Sequence, residues 1–180
     1  MSADVGGGPQ VAPALWRRMA CFVYEGLILF GIGLIPGALG AAFFAISGQH
    51  HPLQSPTALR VFTFALYGLY FTWCWSKNGQ TLPMQTWHIR LVTTQGLPVP
   101  QARALLRYLL SWVWVVPAGV VSYLLHWTRW GMLGAVLVGI VVYAALALRH
   151  PRKQFWHDAW SGTQLVTHRP PLTALAQGSR

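Results

Sequence analysis

Long runs of apolar residues constrain this chain more than any other feature of its sequence. A helix needs roughly 20 consecutive apolar residues to cross a hydrocarbon core of about 30 Å. Apolar residues make up 54% of the chain and charged residues only 9%, a balance outside that of soluble domains of this size. The sequence therefore predicts an all-α transmembrane protein, a four-helix membrane bundle with spans at about 19–46, 57–76, 104–125 and 130–148.

The first two spans have distinctive features. The first is longer than a bilayer requires and contains Pro36, so we expect a kinked or tilted helix. It is also too long for the apolar part of a cleaved secretory signal, which favours a retained helix. The second span is the shortest in unbroken apolar sequence, and Arg60 near its start must extend outward to water.

Positive charges divide unequally between the two sides of such a bundle. If four spans alternate, Arg60 and Arg129 face one side and the remaining eleven Lys and Arg residues face the other. Positively charged loops are typically cytoplasmic, so both termini are predicted to be cytoplasmic, facing anionic lipid headgroups. Nucleic-acid binding, another explanation for a net charge of +10, is disfavoured because the charges form no compact patch interleaved with exposed aromatic residues.

The segments outside the spans divide into two tails and a cytoplasmic cap. Residues 1–14 and 169–180 are predicted to be loose tails flanking a membrane domain at 15–168. The central loop, 78–110, carries turn signals on both sides of the alternating stretch "WHIRLV", which predicts a small β-hairpin at the membrane surface. The stretch "FWHDAW" predicts an amphipathic segment, followed by a strand at 164–167 that could pair with "WHIRLV".

Three motifs in this order resemble the RDD family of bacterial membrane proteins, named for one arginine and two aspartates. They are "RRMACFVYE", the loop "NGQTLPMQTWHIRLVTTQGLPVPQARALLRYLL" and "FWHDAWSGTQLV", and the resemblance covers about residues 14–167. It implies a location in the bacterial inner membrane and, loosely, a transport function. By position, the family arginine is Arg18 and the two acids are Glu25 and Asp158.

The chain departs from the family pattern at two places. Glu25 stands where the family usually has aspartate, which keeps the charge on a longer arm. Pro83 and Met84 stand where a glycine and a basic residue are common, which removes a positive charge from the loop.

The same residues indicate a charged cluster on physical grounds. Arg18 and Glu25 are seven residues apart, two helical turns, and therefore share a face. A carboxylate near the hydrocarbon edge must be paired or hydrated, and acids in such positions often mark ion or proton pathways. Arg103 and Arg107 share a face of the helix that follows the central loop. We expect these residues and Asp158 to form one cluster.

Two functions fit this cluster. Glu25 could exchange protons or monovalent cations, neutralised in turn by an arginine; a path through four narrow helices would then favour a homo-oligomer. Alternatively, the cluster is a structural clasp in a membrane scaffold or accessory subunit, and Glu25→Gln would then destabilise the protein about as much as Asp158→Asn.

Other site types are not indicated. An enzyme is disfavoured because no nucleophile motif, catalytic carboxylate pair or metal-ligand set accompanies the histidines. His50 and His51 lack a third ligand nearby, so no metal and no cofactor are predicted. Small residues at four-residue spacing, such as Gly33, Gly37 and Ala41, favour close helix contacts, either within the bundle or between copies.

Overall fold

Seven helical segments, two of them single turns, and a two-stranded sheet form the described part of the chain in the computed structural model, which describes residues 11–48, 55–113, 115–149 and 154–168. The helices are α1 (Leu15–Ser47), α2 (Pro56–Lys77), α3 (Leu82–Thr86), α4 (Gln101–Ser111), α5 (Val115–Leu124), α6 (Arg129–Arg149) and α7 (Trp156–Trp160), of which α3 and α7 are single turns. The strands are β1 (Ile89–Thr93) and β2 (Thr163–Thr167). Residues 1–10 of the predicted N-terminal tail, the predicted tail at 169–180, and His50 and His51 lie outside the described residues. The remaining part of the N-terminal tail is described, and the Val11 carbonyl accepts a hydrogen bond from the Thr167 amide at 3.0 Å.

Within the described ranges, three stretches are long and apolar enough to cross a membrane: Leu15–Ser47, Gln101–Leu124 and Trp130–Ala147. Helix α2 matches the predicted second span in position but is less apolar, so the fourth span stays a prediction. Many large apolar side chains along these helices are exposed, such as Leu27, Leu137 and Val141. Exposed apolar surface of this extent fits contact with lipid.

Two predicted helices differ in detail from the structure. Helix α1 continues through Pro36 without ending there. The predicted third span, 104–125, consists of α4 and α5, with turn residues at Trp112 and Val113 after α4 ends. Helix α5 begins again at Val115, whose amide donates a hydrogen bond to the Trp112 carbonyl.

The predicted strand pairing across the chain is present. Strand β1 pairs antiparallel with β2, and Leu91 faces Leu165 in the register. The hairpin also predicted within 78–110 is wrong: "TTQG" does turn the chain, but β1 pairs with β2 from the C-terminal segment. The segment "LPVP" after the turn contains Pro98 and Pro100, which have no backbone N–H to donate to a ladder, whereas β2 pairs with β1 over five residues.

The buried core lies at one end of the long helices. It joins the beginning of α1 and of α4 to the ends of α2 and α6, and β1 and β2 close it. Helix α2 packs on both α1 and α4. Gln154 clamps β2 to this core, because its side-chain amide donates to the Leu165 carbonyl and accepts from the Leu165 amide, both at 3.0 Å.

We predict that the turn between α2 and α3 depends on Gly79. Its φ is +68°, and a Cβ there would lie 2.7 Å from the Leu91 carbonyl oxygen. Gly79→Ala should lower the melting temperature in detergent, since the left-handed conformation alone costs an alanine about 1–2 kcal/mol. Gly31→Ala, at an open helical position, is the matched control and should not lower it. Equal melting temperatures for the two variants would contradict this prediction.

Candidate functional site

Four of the five predicted cluster residues are buried at the core end of the bundle. Arg18, Glu25, Arg107 and Asp158 are each less than a tenth exposed, and Asp158 is completely buried. The fifth, Arg103, is exposed on α4 one turn before Arg107. Helix α4 therefore directs one of its two arginines inward and leaves the other outside the cluster.

Asp158 is held by an ion pair with Arg107. The Nε of Arg107 donates to Oδ1 of Asp158 at 2.7 Å, and Nε2 of His157 lies 3.3 Å from the same oxygen. The guanidinium of Arg107 also lies over the Trp75 ring, 4.1 Å from its centroid. The short turn α7 brings Asp158 to this position, so the pair joins the C-terminal segment to α4 and α2.

The pKa of Asp158 follows from these contacts. Burial on its own would raise the pKa, because it disfavours the charged form. The charges and hydrogen bonds of Arg107 and His157 outweigh that effect and hold the pKa of Asp158 below its ordinary value. The side chain is therefore ionised at neutral pH and acts as a fixed negative charge.

Glu25 has a different environment. Its Oε1 accepts a hydrogen bond from the Tyr70 hydroxyl at 2.9 Å, and its Oε2 accepts one from the Thr81 hydroxyl at 2.7 Å. Among the described residues, Glu25 forms no ion pair with an arginine. In place of the expected partner, one of Arg18, Arg103 and Arg107, Glu25 has two neutral donors.

Tyr70 and Thr81 are the site residues that sequence reasoning missed. Thr81 follows the turn at Gly79 and is the N-cap of α3, where its hydroxyl also accepts from the Met84 amide at 3.4 Å. A threonine two residues before a proline at a helix start is a capping signal. Capping alone, however, does not predict a second bond to a distant acid. Tyr70 lies within a predicted span. A hydroxyl among apolar residues indicates that it needs a hydrogen-bond partner, but it does not identify Glu25 as that partner.

Arg18 is buried without a complete set of partners. It is 5% exposed, and its guanidinium lies over the Phe155 ring, 4.9 Å from the centroid. Its Nε and Nη1 have no hydrogen-bond partner among the described residues. The neighbouring Arg17 instead donates through Nη2 to the Trp87 and His88 carbonyls, which ties α1 to the loop before β1.

A cavity of about 330 Å³ adjoins the cluster. Arg18, Glu25, Arg107 and His157 contribute to its wall, and most of the remaining lining is apolar. Across the described part of the chain, no group of three or more His, Cys, Asp or Glu side chains is placed to bind a metal ion.

The sequence model of the RDD family matches residues 12–162, which is most of the chain and includes all of the cluster. No match was found among curated proteins or among solved structures.

We predict that the two acids contribute unequally to stability. Asp158→Asn leaves Arg107 buried without its counter-charge, which should cost about 3–5 kcal/mol. Glu25→Gln should cost about 1–2 kcal/mol, since its amide still offers one acceptor and hydroxyls can reorient. Thermal unfolding in detergent should rank the variants in this order. Equal losses would instead support the single clasp expected from the sequence.

We also predict a simple acid transition, because the chain has only three acidic residues. The folded pKa of Asp158 lies below its unfolded value, so the unfolded state binds a proton first as the pH falls. The stability from Asp158 is therefore complete above the unfolded pKa of about 3.9 and is lost as the pH falls through the folded pKa. Unfolding followed against pH should show this acid loss in the parent and in Glu25→Gln but not in Asp158→Asn. An Asp158-dependent loss centred above pH 5 would contradict the assignment.

Proposed function

This chain belongs to the RDD family of membrane proteins, and we propose that it exchanges protons and monovalent cations across the membrane, with Glu25 as the exchanging group. The observation that carries this proposal is the pairing of Glu25 with two hydroxyls beside a cavity. A carboxylate locked to an arginine is a fixed charge. One held by neutral hydroxyls keeps the ability to take up a proton or a cation.

The three side chains offer chemistry suited to both ligands. Hydroxyls carry one donor and two acceptor lone pairs, so Tyr70 and Thr81 can donate to a charged Glu25 or rotate to present oxygen lone pairs. Two carboxylate oxygens and two hydroxyl oxygens then form a set of hard ligands, the kind that alkali and other hard cations prefer. Arg107 does not compete for Glu25, because its Nε bonds Asp158.

The proposed topology follows from where the helix ends meet. The start of α1 and the end of α6 contribute to the same buried core, which supports an even number of crossings and both termini on one side. The eleven-to-two division of positive charges supports that side being cytoplasmic, against anionic headgroups of the bacterial inner membrane. Helix α2 would supply the fourth crossing despite its lower hydropathy.

A homo-oligomer is part of this proposal. Gly33 allows α1 and α2 of one chain to approach closely, since a Cβ there would lie 2.6 Å from the Tyr67 hydroxyl. A Cβ at Gly37, one turn further along α1, would meet nothing within 4 Å. The open position leaves a surface where a second copy can approach closely.

The second candidate is a membrane scaffold or accessory subunit, and the Arg107–Asp158 pair favours it. A buried pair that joins the C-terminal segment to α4 stabilises a surface made of α7, β1 and β2. A partner protein could bind this surface, whether or not the chain transports ions. In this alternative, Glu25 is only a hydrogen-bonded interior acid.

Flux through proteoliposomes tests the proposal. The purified protein is reconstituted with an internal pH dye, and sodium, potassium or lithium gradients are imposed. The parent should move protons in response to at least one cation, and Glu25→Gln should fall to the rate of empty liposomes. Tyr70→Phe removes one of the four proposed oxygen ligands and should weaken the apparent cation affinity about tenfold, which is about 1.4 kcal/mol.

Tyr24→Phe is the matched control. Tyr24 lies beside Glu25 in the sequence but packs against the Trp87 ring, so this variant should keep the parental flux. Melting temperatures establish that each variant is folded. A folded parent without cation-driven proton movement would contradict transport and favour the accessory subunit.

A further inference from the structure

The cavity beside the cluster is polarised along its length. Its α1 wall runs from Arg18 to Leu29, about 16 Å at 1.5 Å per residue. Arg18 lies at one end with Arg107 and His157. Glu25 lies between the two ends with both oxygens already hydrogen-bonded.

The other end of the cavity is apolar. Leu29, Val115 and Ile140 line it, and they come from three different helical segments. A helix-lined apolar space within a membrane-spanning region suits a hydrocarbon chain. Its volume of about 330 Å³ is at the low end of the range for ligand pockets, about 300–1,000 Å³, and suits one chain better than two.

The end of the cavity at Arg18 contains hydrogen-bond donors without acceptors. Arg18 is almost completely buried, yet two of its guanidinium nitrogens have no hydrogen-bond partner among the described residues. Asp158 attracts Arg18 electrostatically but forms no hydrogen bond with its Nε or Nη1. Buried donors without acceptors are costly, and an anion is a ligand that would accept from them. Carboxylate and phosphate groups match a guanidinium in both charge and geometry.

We infer that this cavity binds a single-chain anionic amphiphile, with its carboxylate or phosphate headgroup at Arg18 and its hydrocarbon chain running toward Leu29 and Ile140. Arg107 adds positive potential at the same end while it remains paired with Asp158. The ligand chemistry has two sources, a free fatty acid and a lysophospholipid. The headgroup position at Arg18 differs from Glu25, but the hydrocarbon chain passes Glu25 within the same cavity. The photolabelling test measures binding of the amphiphile and does not depend on cation exchange.

Photolabelling tests this inference on the whole chain in nanodiscs of phosphatidylcholine. The probe is a palmitate analogue with a diazirine in mid-chain, and labelled peptides are mapped by mass spectrometry. Labelling should fall on cavity-lining peptides of α1, α5 or α6. Unlabelled palmitate, lysophosphatidylglycerol or both should compete, and hexadecanol, which has the chain without the charge, should not.

Two pairs of variants separate the headgroup from the chain. Arg18→Gln should reduce cavity labelling about tenfold, while the exposed Arg103→Gln should leave it unchanged. Gly26→Leu adds a side chain where a Cβ meets nothing within 4 Å in the cavity wall, and it should block labelling. Gly31→Leu, open but outside that wall, should not. The glycine pair keeps the test decisive if Arg18→Gln fails to fold.

The pattern of competition identifies the ligand class. Competition by palmitate alone identifies a fatty acid, and competition by lysophosphatidylglycerol alone identifies a phospholipid product; either result supports the site. Labelling spread evenly over the lipid-facing helices, equal competition by hexadecanol, or unchanged labelling in Gly26→Leu would overturn it.

Discussion

The structure depends on a fully buried carboxylate that must be matched by positive charge. Asp158 loses all contact with water on folding, and an unpaired charge in such surroundings would cost several kcal/mol. Arg107 supplies the match at 2.7 Å, which fixes α7 beside α4. Strand β2 follows directly after α7, so its pairing with β1 and the closure of the core both follow from this contact.

With Arg107 committed to Asp158, Glu25 is left to hydroxyl partners. The chain thus places two acids in buried positions with different chemistry, one neutralised by an arginine and one held by Tyr70 and Thr81. This difference is the basis for assigning a structural role to Asp158 and proposing an exchanging role for Glu25. Arg18, left with unfilled hydrogen-bonding capacity at the cavity end, is the third distinct element of the cluster.

Much of this arrangement could be predicted from the sequence. The long apolar helices and the pairing of "WHIRLV" with the C-terminal strand follow from hydrophobic pattern, and the family match agrees with the motifs. The break between α4 and α5 could not be predicted, because its residues are as apolar as the helices around it.

The partners of Glu25 were missed because they are neutral. Charge pairing points to arginines, whereas only tertiary packing brings Tyr70 and Thr81 together. Helical spacing placed Arg103 and Arg107 together but could not show which faces the core.

The role of Glu25 can be measured directly because it is the chain's single glutamate. Labelling with glutamate carrying ¹³C at its side-chain carboxyl gives one resonance from that position, observable by solid-state NMR in lipid. If Glu25 exchanges protons and cations, this resonance should titrate with pH, and the midpoint should move with the concentration of the cation that drives flux, since linkage makes the two ligands mutually dependent. A resonance that stays that of an ionised carboxylate and ignores every monovalent cation would contradict the account.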